Sequence, residues 1–316
     1  MKCFAGIDLG GTNIKGGLVN SDNEILYTKS IKTMPERGFE AVAQDIANLL
    51  IDMTLESGIK MQDVEYIGIG SPGAIDSKRG VVYFAGNLGW ENAHLGEYIA
   101  QKLNKQVYVG NDANCAALGE YLTGAQNKYE SMAMITIGTG VGFGLILNNK
   151  VYSGATYGGG EFGHTTLILD GENCTCGKKG CLEAYASFSA LLRDTGRFIK
   201  ENPHSLLAKI EQEKGEIEGK DIFEAAINGN SDAINITDRF LKYIGAGVVN
   251  IINILDPAVI VIGGGISKSA DYFLPKIKKY AENNAFCKQV PLPEIIVASS
   301  GNDVGIIGAA RLGEYK

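Results

Sequence analysis

The residues best equipped for chemistry crowd between Gly159 and Glu183. His164 is followed by Cys174, Cys176 and Cys181 in a C-x-C-x₄-C run. Three thiolates and one imidazole make a closed tetrahedral Zn²⁺ site, and Gly177 and Gly180 permit the tight loop that returns Cys181 to the ion. Four protein ligands leave no position for water, so such a metal would be structural, folding a long loop and fixing His164 in place. Reduced, unliganded cysteines are the alternative. Glu161 and Glu183 flank the loop, and a metal would draw both toward one place, where carboxylates suit hydroxyl-rich ligands. Exposed glutamates with no ligand would read the same way.

A second set of residues suits phosphate. Asp8, at the end of an apolar run over residues 4–9, precedes Gly10-Gly11-Thr12-Asn13, and a second apolar run over 14–19 carries Lys15. This reads as a hairpin whose glycine turn lets backbone N–H groups approach a bulky anion. Asp8 could hold Mg²⁺ through water. The arrangement recurs: a strand over 132–137 ends in Gly138-Thr139-Gly140 and continues into 145–147. One such turn is an ordinary hairpin, but two could grip a nucleotide's phosphates from both sides. Neither a P-loop nor a dinucleotide fingerprint is present. Gly264 and Gly265, after a buried strand, could let an adenine or ribose lie on the backbone, or could simply turn strand into helix. Asn111-Asp112 closes another strand, where an acid beside an amide could hold and deprotonate a hydroxyl; Asp112 could equally cap the next helix. Ser71, before Pro72 and Gly73, is expected at the carboxyl edge of the same sheet, where open α/β sheets bind ligands. Trp90, in the Gly86–Trp90 loop, could stack on a sugar or plug the loop.

The elements that must position these groups follow from periodicity. Three opening strands precede apolar residues at helical spacing from Phe39 to Met53, and the order β-β-β-α-β-α-β-α indicates an α/β domain with a mixed sheet. The spacing predicts one helix over 181–198, another over 223–228 and a long one over 233–255. The charged stretch 211–221 reads as a solvated excursion. The 316 residues suggest two domains, expected as 1–115 with 300–316 and 116–299, the latter carrying the cysteine loop. With 45% apolar and 21% charged residues, the chain can bury a large core. A formal charge of −7 argues against coating nucleic acid or an anionic membrane. No apolar run reaches the roughly 18 residues that suggest a membrane span. The start runs straight into a strand without a signal region, so a cytoplasmic protein is expected, and six cysteines, three of them clustered, suit a reducing compartment.

Together these residues resemble the ROK family of repressors, open-reading-frame proteins and sugar kinases, over nearly the whole chain. The E-x-G-H of 161–164 and the C-x-C-G-x-x-G-C-x-E of 174–183 carry the likeness most specifically, with Asp8–Asn13 and 137–144 similar to the family's two phosphate motifs. The resemblance implies the actin-like (ribonuclease H-like) fold, two lobes around a nucleotide and sugar cleft. It implies ATP-dependent phosphorylation of a hexose at its 6-hydroxyl, glucose first, with N-acetylmannosamine, N-acetylglucosamine, fructose or allose as alternatives. The 87–90 loop is more like that of the family's glucose kinases. Asp112 would be the general base. Ser71, Gly73, Asn87, Asn111, Asp112, Glu161, His164 and Glu183 would lie near the sugar. Asp8, Gly10, Gly11, Thr12, Asn13, Lys15, Gly138, Thr139, Gly140, Gly264 and Gly265 would serve ATP and its Mg²⁺, and His164, Cys174, Cys176 and Cys181 would bind zinc. Similar proteins are usually dimers. A sugar-sensing repressor is a remote alternative, since such relatives carry a DNA-binding segment before the first phosphate motif.

Overall fold

The computed structural model describes residues 2–125, 128–301 and 303–315. The first sheet has the order β3-β2-β1-β4-β8. Its first two strands are β1 (Cys3–Leu9) and β2 (Asn13–Asn20), followed by β3 (Ile25–Lys32) and helix α1 (Phe39–Ser57). Next come β4 (Val64–Ser71), a short antiparallel trio of β5 (Ala74–Asp76), β6 (Val81–Ala85) and β7 (Trp90–Ala93), helix α2 (Leu95–Leu103), β8 (Val107–Asn111) and α3 (Asp112–Thr123). The trio was not expected. Its strands are three to five residues long and separated by Gly80, Gly86 and Gly89, too short for a period-2 pattern to show.

The second sheet repeats the plan as β11-β10-β9-β12-β13. It comprises β9 (Ser131–Ile137), β10 (Val141–Leu147), β11 (Lys150–Val151), β12 (Val259–Gly264) and β13 (Glu294–Val297). Each order thus runs from a third strand through an antiparallel hairpin to parallel strands, an internal duplication of the actin-like kind. Between β11 and β12 lie α4 (Glu183–Ala186), α5 (Phe188–Glu201), α6 (Leu206–Lys214), α7 (Gly219–Ile227) and α8 (Ser231–Leu255). Helix α9 (Ala270–Asn284) precedes β13, and α10 (Val304–Arg311) closes the chain.

Two of these elements correct the sequence reading. The helix expected over 181–198 is broken at Ser187, whose extended backbone (φ −96°, ψ 161°) caps α5, its hydroxyl accepting from Ala190 N. The stretch 211–221 is not all solvated. Asp221 is buried in the capping box that opens α7 and pairs with Lys214 at 2.5 Å.

The chain divides into two compact units, one of 1–132, 144–160 and 299–316 and the other of 133–143 and 161–298. The break expected at 115 therefore falls later, because α3 is locked whole into the first unit by α10. A Cβ on Gly308 would lie 1.7 Å from Cys115 O, and one on Gly68 1.7 Å from Ala309 O. Only glycine lets α10 approach α3 and β4 backbone to backbone. The first core fills around Ile7, Leu9, Ile46, Leu50, Ile67 and Val109, all buried between the sheet and α1 and α2. Among the described residues, no helix is long and apolar enough to cross a membrane.

Candidate active site

In the first unit, strand register gathers the acidic groups at one sheet edge. Asp8 is in register with Gly70, and Ser71 with Asn111, across three neighbouring strands. Asn111 ends β8 and caps α3: its Oδ1 accepts from Ala113 N at 3.0 Å and Asn114 N at 3.2 Å. Its Nδ2 donates to Gly73 O at 3.1 Å, tying the turn after β4 to the helix start. Asp112 is the first residue of α3, partly exposed, with Oδ1 accepting from Ala113 N at 2.8 Å. The cap is therefore Asn111, and Asp112 is not needed for it.

The first glycine turn is tight. Gly10 N donates to Asn13 O at 3.0 Å, so that amide is spent and those of Gly11 and Thr12 are the next two along. Thr12 is exposed. Asn87 reaches the turn, 3.5 Å from where a Cβ of Gly11 would stand. Thr33, fully buried, holds the turn from behind, its N donating to Thr12 O at 3.0 Å and its hydroxyl to Gly10 O at 2.6 Å. Nothing in the sequence singled out this threonine, which lies 20 residues downstream in a polar stretch. Ser71 departs from expectation. It sits at the carboxyl edge, but its side chain is fully buried and its hydroxyl donates to Pro72 O at 3.2 Å, because β4 is covered on both faces. Trp90 is buried edge-on against Phe39, which favours the plug over the stacking platform.

Asp8 lies against the start of α10, where a Cβ on Gly305 would be 3.0 Å from its carboxylate. Burial raises its pKa first, the Asp112 charge next; Lys15, its partner across the hairpin, pulls it back, and Asp303 adds to the rise. A carboxyl whose folded pKa is raised stabilises the fold below its unfolded value, and that contribution is lost as pH rises through the folded value. Asp8→Asn should therefore raise the melting temperature of the ligand-free protein near pH 8, and the gain should vanish toward pH 4 or so. Thermal unfolding of both proteins across that range checks it; a variant less stable at every pH would contradict it.

In the second unit, the turn between β9 and β10 has the same build. Gly138 N donates to Gly140 O at 3.0 Å and Val141 N to Glu183 Oε2 at 2.9 Å. Both flanking amides are spent, leaving those of Thr139 and Gly140, with the exposed Thr139 hydroxyl between them. The break at Ser187 serves this turn, since Phe188 N donates to Gly138 O at 2.8 Å and the Ser189 hydroxyl to Thr139 O at 2.7 Å. Gly264, at φ +86°, crosses the end of β9 so closely that a Cβ would meet Ile137 O at 2.4 Å. Gly264 and Gly265 are exposed there, and Gly265 opens a short 3₁₀ helix. Both readings of these glycines thus describe the same backbone.

The donor atoms of His164, Cys174, Cys176 and Cys181 all lie within 4.8 Å of one another. His164 Nδ1 is 3.5 Å from Cys174 Sγ, and Cys176 Sγ is 3.6 Å from Cys181 Sγ. Zn–S bonds of about 2.3 Å at tetrahedral angles put sulfurs about 3.8 Å apart, so these spacings fit a four-ligand zinc. Burial, then the neighbouring thiols Cys176 and Cys174, push the Cys181 thiol up to about 12, so a thiolate there calls for a cation. Glu161 is exposed at the start of the 3₁₀ turn that carries His164. Glu183 stands 4.0 Å from His164 Nδ1. The second unit therefore brings Glu161, His164, Glu183, the Gly/Thr turn and the cysteine cluster together, and the first unit does the same for Asp8, Gly10–Thr12, Asn87, Gly73, Asn111 and Asp112.

Comparison with known proteins decides the family. The ROK family model matches residues 4–315. The chain belongs to the ROK family. This ROK protein is 37% identical over 313 residues to a glucokinase of Halalkalibacterium halodurans, covering 98% of this chain and 94% of that one. It is 32% identical to a xylose repressor of Caldicellulosiruptor bescii, covering 97% of this chain and 77% of the repressor. Among solved structures, it resembles a ROK family glucokinase from Streptomyces griseus in complex with glucose and AMPPNP, with a TM-score of 0.82, 34% identity and 98% coverage of each chain. The family and the duplicated sheets together make this an actin-like α/β fold.

Proposed function

We propose that this ROK protein transfers the γ-phosphoryl group of ATP to the 6-hydroxyl of glucose. The observation that carries the reading is the matched pair of turns, each with its first amide spent internally and an exposed threonine within it. Gly11, Thr12, Thr139 and Gly140 would hold the phosphates, and Gly264 and Gly265 would lie along the adenosine. Phosphoryl transfer demands little covalent chemistry from a protein, so donors fixed in place supply most of the catalysis. Asp112 takes the proton from the 6-hydroxyl as its oxygen attacks the γ-phosphorus in line. Mg²⁺ arriving with ATP would offset charge on the β- and γ-phosphates, and Asp8, crowded by Asp112 and Asp303, is the carboxylate whose ionisation such a cation would favour. Asn87, Gly73, Glu161, His164 and Glu183 would meet the sugar. Asn111 has both ends of its amide committed, so its contribution would be to set the helix that bears Asp112. His164, Cys174, Cys176 and Cys181 would hold zinc as a cross-link of the loop.

The support for glucose is the likeness to glucokinases over nearly the full chain. The likeness to xylose repressors makes sugar sensing without turnover the rival. A panel of sugars with coupled ADP detection separates them. The expected result is ADP release fastest with glucose, and slower with N-acetylmannosamine, N-acetylglucosamine, fructose and allose. No ADP with any sugar would favour the sensor, and ATP turnover without sugar would point to an ATPase of the same fold.

A further inference from the structure

Glu183 has a second role that follows from where its two oxygens point. It is the first residue of α4, directly after the cysteine loop. Its Oε1 accepts from the Thr175 hydroxyl at 3.0 Å, with Cys174 Sγ 3.6 Å away. Its Oε2 accepts from Val141 N at 2.9 Å and lies so close to Gly140 that a Cβ there would stand 2.5 Å from it. One partly buried carboxylate is therefore held by the metal-ligand loop on one side and holds the Gly138–Gly140 turn on the other.

We propose that Thr175 and Glu183 form a relay through which the cysteine loop sets the shape of the nucleotide turn. The inference rests on the kinase reading above, in which Thr139 and Gly140 meet phosphate. A sulfur serving a metal as thiolate has no proton to give, so Thr175 is then the loop's hydrogen bond to Glu183. A charge-assisted bond fixes both length and direction more firmly than a neutral one. Fixing Oε1 fixes Oε2, and with it the Val141 amide that closes the turn. Without that restraint, the Val141 amide loses its fixed acceptor, and the turn is held only by its internal Gly138–Gly140 bond and by Phe188 N and the Ser189 hydroxyl on its first two carbonyls, so the Gly140–Val141 side of the turn is the part that shifts. Thr175 is a positioning residue in this scheme: it reaches neither nucleotide nor metal through its hydroxyl, and acts through Glu183.

Zinc-loaded wild-type protein, Thr175→Val and Thr175→Ser are compared by calorimetric titration with AMPPNP and Mg²⁺, with zinc content measured on the same samples. Thr175→Val keeps the side-chain volume and removes the donor. It should weaken AMPPNP binding about fivefold with zinc content unchanged, and Thr175→Ser should restore the wild-type affinity. A valine variant that binds AMPPNP as tightly as wild type overturns the relay while leaving the kinase reading standing. So does a loss that serine fails to rescue, or one that tracks a loss of zinc. Wild-type protein that binds no AMPPNP would remove the kinase reading and the relay together.

Discussion

Asp112→Asn should lower kcat for glucose by about 10²-fold or more while leaving glucose affinity and the melting temperature close to wild type. A loss of that size corresponds to about 3 kcal/mol of transition-state stabilisation. The separation of catalysis from stability follows from the helix start. A carboxylate at the first position of α3 could have been the cap, and its removal would then unfold the helix end. The cap is Asn111 instead, with bonds to Ala113 N and Asn114 N. An asparagine at position 112 still presents an oxygen to Ala113 N, and it keeps the volume. What it loses is the ability to accept the proton of an attacking hydroxyl. Steady-state kinetics, glucose titration and thermal unfolding on the same preparation check the split. A variant that keeps its turnover refutes the base; one that loses turnover together with several degrees of stability makes Asp112 a structural residue.

Some of this site could be read from residue types alone, for a physical reason. Glycine and cysteine are the residues whose spacing is least forgiving. A turn that exposes two amides needs glycine, and a loop that closes on one ion needs its ligands and glycines at fixed intervals. Gly10–Thr12, Gly138–Gly140 and His164 to Cys181 could therefore be placed in chemically meaningful clusters before any coordinates were known. The groups that brace those clusters could not. Thr33 and Ser189 are single hydroxyls whose partners are backbone carbonyls 23 and 50 residues away. No local pattern encodes such a contact. Ser187 breaks a run with continuous helical periodicity, its extended backbone capping α5 and turning its neighbour's amide onto Gly138 O, a partner about 50 residues away. Ser71 lies at the strand end that its place in the chain predicts, but a serine there can face outward or into a second layer of packing, a choice no local pattern encodes, and here its side chain is buried. The domain break was misplaced for a related reason. The glycines that dock α10 onto α3 and β4 look like any others in a chain with 42 of them, and their meaning lies in the helix that returns from the far end.

Cys181→Ser should abolish bound zinc and lower kcat/KM for glucose by about 10²-fold or more, with new proteolytic cleavage inside 161–182. The size of the effect follows from what else holds that segment, which is polar: turn hydrogen bonds such as Leu167 N to Gly180 O, and the Arg197–Glu172 ion pair at the surface. Between β11 and α4 it has one 3₁₀ turn and two isolated bridges, Thr166 with Cys181 and Asn173 with Lys179. Few of its side chains are buried, so its apolar packing is slight; Leu169 is 82% exposed. A structural zinc supplies about 10–16 kcal/mol of apparent binding energy in small zinc domains, more than such bridges can replace. Cys181 is the ligand to remove. It is fully buried and lies two residues before α4, so the ligand it supplies is the one that ties the end of the loop to the helix. Serine keeps the shape but is a poor zinc ligand at neutral pH. Glu161, His164 and Glu183 would then lose their common frame, and glucose binding should suffer more than the folding of the first unit, whose core contains none of these residues. Elemental analysis should find one zinc per chain in wild type and none in the variant, and limited proteolysis should map the released segment. If freshly purified wild type holds no zinc, or the variant keeps full activity without it, the loop is held by protein contacts alone and the four-ligand centre is not what folds it.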